Sequence, residues 1–196
     1  MSGQHPHPEA LYYHIAGDAC AAGLMETDEF KRKQLAATAM VFSALCLEVF
    51  INQEFAAFPE TSKLLDEDDR LPLETKWLLL PMLLGSVGTF DKSQEPFQTF
   101  RELLRTRNQR LVHFKPAKET GGGAFDRKHG YFGDLVNNVA LAKRFCACIG
   151  EMIRELNRLT AGKTDVPSFL AGDRYISRVW FDVTMPIEWR SERSGT

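Results

Sequence analysis

From Gln34 to Gln53 the chain is almost wholly apolar or small, rich in Ala, Leu and Phe, and Glu48 is its only charged side chain. A helix that is apolar all round must be buried in a protein core or in a membrane. Gln34, Thr38, Ser43 and Glu48 interrupt this one, whereas a membrane span favours about 20 uninterrupted apolar residues. The stretch therefore predicts the central helix of a bundle and no membrane partner. With 196 residues, of which 44% are hydrophobic, the chain has material for one well-buried core and too little for two.

The flanking segments supply partners for that helix. Leu11, Tyr12, Ile15, Ala19 and Ala22 predict a first helix from Pro8, weakened by Gly17 and Gly23. Phe58 to Pro72, with its acidic run Asp66 to Asp69, has the composition of a solvated connector. Lys76 to Leu84 predicts a short helix kinked at Pro81 and closed by Gly85 and Gly88. A longer helix begins with Pro96 in its first turn, carries Phe97, Phe100, Leu103, Leu104, Leu111 and Phe114 on one side, and ends at Pro116. Beyond a Gly-rich excursion from Gly121 to Gly130, Asp134 reads as the N-cap of a regular helix. Its stripe runs through Leu135, Val139, Ala142, Cys146, Ile149, Ile153 and Leu156. After Gly162, Tyr175 to Val183 favours extended structure, either a hairpin or a wrapped arm. The expected architecture is all-α: a disordered start over 1–8, an up-and-down helical bundle over 9–162, and an extended or short β C-terminal extension over 163–196 packed on it.

Charge and thiols narrow the function classes. A net charge of −2 is unlike that of a protein that binds nucleic acid over its whole surface, so any such contact must come from a local patch. The start has no basic segment followed by an apolar one, and Cys20, Cys46, Cys146 and Cys148 lack the spacing of a disulfide framework, which predicts a cytoplasmic protein. Cys146 and Cys148, two apart on a helix, diverge, and no second Cys/His pair suits zinc, so neither a metal nor another cofactor is expected.

The local patch lies between residues 101 and 118, where Arg101, Arg105, Arg107, Arg110, Lys115 and Lys118 face only Glu102. Such a run is either a solvated face, its cations favoured near a helix C-terminus, or an anion site in which planar guanidiniums grip phosphate oxygens in pairs. His113 lends weight to the second reading, because neighbouring guanidiniums lower an imidazole's pKa and leave it available as a base. Arg107 and Arg110, like Arg110 and His113, are three apart and thus neighbours on a helix. Arg107 and His113 meet at one phosphate only through long side chains, a local break or a second subunit. Glu48, the lone charge of the central helix, either pairs with one of the arginines at 105, 107 and 110 or lies on a wet edge beside Asn52.

The segment Arg107-Asn108-Gln109-Arg110-Leu111-Val112-His113, followed by Phe-Lys-Pro, resembles the HEPN signature of an arginine, a polar residue and a histidine after a short gap. The Ala-rich central helix with Glu48 and Asn52 resembles that family's acidic-polar helix. The resemblance implies a dimer of helical bundles whose motifs face one another across a cleft, and metal-independent cleavage of RNA in toxin, defence or RNA-processing systems. It also implies an antitoxin or nucleotidyltransferase as partner. Arg107, Asn108 and His113 would then be catalytic, Glu48, Asn52 and Arg110 supporting, and Arg101, Arg105, Lys115 and Lys118 would bind RNA. Some members of the family serve instead as non-catalytic modules for dimerisation or for binding a nucleotide or protein, and that alternative stands beside the enzymatic one.

Overall fold

A computed structural model describes residues 8–58, 71–86, 88–112 and 138–171. Among them every regular element is helical: α1 (Pro8–Met25), α2 (Glu29–Ala57), α3 (Leu73–Leu83), α4 (Phe97–Thr106), a π-helical turn (Arg107–Val112), α5 (Val139–Leu159) and the short α6 (Ser168–Ala171). The protein is thus an all-α bundle. The connector from 59 to 70, the Gly-rich excursion, Asp134, Leu135, Phe114, Pro116, the start over 1–7 and the Tyr175 to Val183 segment lie outside the described residues.

The apolar central stretch is the middle of α2, which is longer than that stretch at both ends. Asp28 caps it by accepting the Lys31 N–H at 3.0 Å, and the charged turn that follows prolongs the helix toward solvent. Between Leu35 and Phe55 no residue of α2 is exposed. By length and composition α2 is the one helix among the described residues able to cross a membrane, and half of its most apolar window is buried inside the bundle.

α1 returns along α2 in an antiparallel hairpin: the Cys46 thiol donates to the Glu9 carbonyl at 3.3 Å at one end, and Tyr12 packs on Phe42. The apolar stripe of α5 inserts between the two. Cys146 reaches the Ala16 carbonyl and the Ser43 hydroxyl, while Val139 lies beside Gly23, so α5 runs antiparallel to α1 and parallel to α2. The cap of α5 is Asn138, whose side chain accepts the Leu141 N–H at 3.0 Å, and not the expected Asp134.

α4 lies antiparallel to α5, tied by an Arg144 to Glu102 ion pair. Pro96 flanks this helix instead of entering its first turn, and Glu95 supplies the cap by accepting the Thr99 N–H at 3.2 Å. α3 crosses the end where α2 and α5 finish, and it continues through Pro81 to Leu83 before Gly85 turns the chain with φ of +69°. Trp77 of α3 is fully buried among Phe50, Phe90 and Phe100, with ring centroids 5.7 to 6.0 Å apart. This aromatic cluster fixes α3 and α4 against α2. The first residues after α5 also pack on the bundle: Phe169 sits on Tyr13 at 4.8 Å, and Leu170 is buried.

Candidate functional site

Two features of the chain bring the site together. α4 carries its apolar side, Phe97, Phe100 and Leu103, into the core, which turns Arg101 and Arg105 outward to solvent. At Arg107 the α-helical register gives way to a π-helical turn that packs on α2. Single π turns of this kind occur often at functional sites. The turn begins on Arg107, the first residue of the Arg-Asn…His segment.

Arg107 is held by Glu48. Its Nη1 lies 2.5 Å from Glu48 Oε2, a charge-assisted hydrogen bond across from α2, with the two side chains 21% and 36% exposed respectively. Of the two readings of Glu48, the structure has the ion pair, at the margin of the core and not deep within it. Asn52, one turn further along α2, has no hydrogen bond to Arg105 or Arg107 among the described residues. It accepts instead from Lys76 Nζ at 2.8 Å.

Lys76 is only 5% exposed and was not singled out by its sequence setting, although a charge opening an apolar segment is the signal that marks it. An ammonium this buried needs an acceptor, and Asn52 provides one. The sequence reading gave Asn52 the role of supporting the motif; in the fold its contact is with α3.

Glu48, Arg107 and the exposed Asn108 line a cleft of about 420 Å³ together with Arg101 and Arg105. Arg101 is paired there with Glu74 of α3, Nε to Oε1 at 3.3 Å. Among the described residues Glu48 and Glu74, distant along the chain, thus meet three arginines of the patch. Arg105 alone of the three has no carboxylate partner among the described residues. The backbone of Arg110 belongs to the π turn; His113, Lys115 and Lys118 lie outside the described residues.

The cysteines are core residues. All four are buried and unpaired by disulfides, and burial pushes the Cys46 and Cys148 thiols up, away from reactive thiolate. Cys146 hydrogen-bonds Cys20, which lowers the Cys20 thiol and raises its own. Among the described residues no group of three or more His, Cys, Asp or Glu side chains is arranged to hold a metal ion.

This arrangement presents two guanidiniums held by carboxylates, Arg101 and Arg107, a third, Arg105, without a carboxylate partner among the described residues, and the Asn108 carboxamide to whatever occupies the cleft, a set suited to a phosphate or another oxyanion. No protein-family model, no curated protein and no solved structure matches the chain.

Proposed function

We propose that this protein is a metal-independent endoribonuclease of the HEPN type, acting on RNA as a homodimer. The observation that supports this reading most is the Glu48 to Arg107 pair at the start of the π turn. A guanidinium held in place before substrate arrives is worth more to a transition state than a mobile one, because no reorganisation is needed when charge develops.

In this reading His113 takes the proton from a ribose 2′-hydroxyl as its oxygen bonds to the adjacent phosphorus. Arg107 stabilises the extra negative charge on the phosphorane, Asn108 orients the phosphate, and Glu48 positions Arg107. The bond from phosphorus to the 5′-oxygen breaks, that oxygen takes a proton from solvent, and the products are a 2′,3′-cyclic phosphate and a 5′-hydroxyl. The nucleophile is part of the substrate, so the route needs no metal-bound water. A second copy of the chain would face the first across the cleft, and an antitoxin or nucleotidyltransferase would be the regulating partner.

One observation favours the competing reading of a non-catalytic nucleotide-binding or protein-binding module: carboxylates already engage Arg101, Arg107 and Arg144. Purified wild type and His113→Ala, incubated with labelled RNA in excess chelator, separate the two. The nuclease reading expects cleavage by the wild type and a loss of about 100-fold or more in the variant. A folded wild type that cleaves none of several RNAs sinks it in favour of the module.

A further inference from the structure

Arg101 and Arg105 also line a second cleft, of about 510 Å³. Lys92 and Arg144 join them there, against Glu95 and Glu102, four cations to two carboxylates. Arg144 is occupied by Glu102, and Glu95 by the Thr99 amide. Lys92 and Arg105 are exposed and pair with no carboxylate among the described residues. The lining has no aromatic residue, so the cleft offers no platform on which a base could stack.

We infer that this second cleft binds phosphates of the RNA strand flanking the cleavage site, with Lys92 and Arg105 as its contacts; the inference rests on the ribonuclease reading of the first cleft. A mononucleotide would fill one cleft. Two clefts that share Arg101 and Arg105 suit a polyanion, which can lay successive phosphates in both. Arg101 and Arg105, four apart on one helix, are surface neighbours with about 5–6 Å between their Cβ atoms. Contacts to phosphate position a strand without reading its sequence, so the second cleft contributes length dependence and no base preference.

The test measures binding without cleavage. A fluorescein-labelled 2′-deoxy single strand of mixed sequence and about a dozen nucleotides is titrated against wild type, Lys92→Gln and Lys92→Arg, alongside the corresponding dinucleotide. Expected for the longer strand with Lys92→Gln is about threefold to tenfold weaker binding, with the slope of log affinity against log salt shallower by about 0.7. Lys92→Arg restores both, and the dinucleotide is indifferent. Unchanged long-strand binding in Lys92→Gln, an equal effect on both lengths, or no binding of the longer strand overturns the inference. Wild type that cleaves RNA while Lys92→Gln binds normally would remove the second cleft alone. Lys92-dependent strand binding with no RNA cleavage would remove the nuclease reading and leave the cleft.

Discussion

Glu48 shows how a small energetic term can matter more for geometry than for stability. Its bridge to Arg107 is partly exposed, and pairs of this kind contribute only about 0.2–1 kcal/mol after solvent screening and side-chain ordering. A double-mutant cycle of Glu48→Gln and Arg107→Gln, followed by chemical denaturation, is expected to give a coupling in that range. For activity, Glu48→Gln leaves the arginine charged but no longer held, and it should lower kcat about tenfold with little change in KM. Arg107→Lys should not rescue, because an ammonium cannot reproduce the planar fork. A rise in KM with kcat unchanged would reassign Glu48 from positioning to ground-state binding. The pair was legible from the chain alone because one carboxylate among twenty otherwise uncharged residues demands a cation. The partners of Arg101 and Arg144 were not: exposed ion pairs between distant segments leave no pattern in sequence.

At the scale of elements, apolar spacing located α1, α2, α3, α4 and α5, since each buries a stripe or a whole surface. Their ends were less legible. α2 runs on past its apolar stretch because a capped, charged first turn satisfies its amides in solvent, where hydrophobicity carries no signal. The sequence pointed to Asp134 as the cap of α5, but it is the Asn138 side chain that accepts the Leu141 amide; both residue types make good caps, and local sequence carries little to rank them. Asn138→Ala should therefore destabilise the protein by about 1 kcal/mol in denaturant melts, with the slope unchanged. No change would mean that another group caps this helix. The π turn had only an indirect sign in the sequence, the poor fit of Arg107 and His113 to a straight helix.

Across the whole molecule, charges far apart in sequence set how the fold responds to pH. Burial, then Asp165 and Glu9, push the Glu54 carboxyl up to about 7 from an ordinary 4.5. An acid whose folded pKa is raised holds its proton in the native state while the unfolded chain has lost it. Its contribution to stability is complete below the unfolded value and declines as pH rises through about 7. Glu54→Gln should accordingly raise the melting temperature at about pH 8 and change it little at about pH 5. An equal effect at both would show that Glu54 titrates normally. The same convergence of distant charges brings Glu48 and Glu74 to the arginine cleft, so that among the described residues two of its three arginines are paired and Arg105 has no carboxylate partner.

We propose that this groove cleaves RNA through the ribose's own hydroxyl. The most direct measurement is the chemistry of the 3′ ends left by wild type in excess chelator, on an RNA and on the same strand carrying a 2′-deoxy sugar at the mapped cleavage position. Attack by the 2′-hydroxyl predicts 2′,3′-cyclic phosphate ends from the first and no cleavage at that position in the second. Ends bearing a 3′-hydroxyl, or cleavage that continues at the deoxy position, would contradict it.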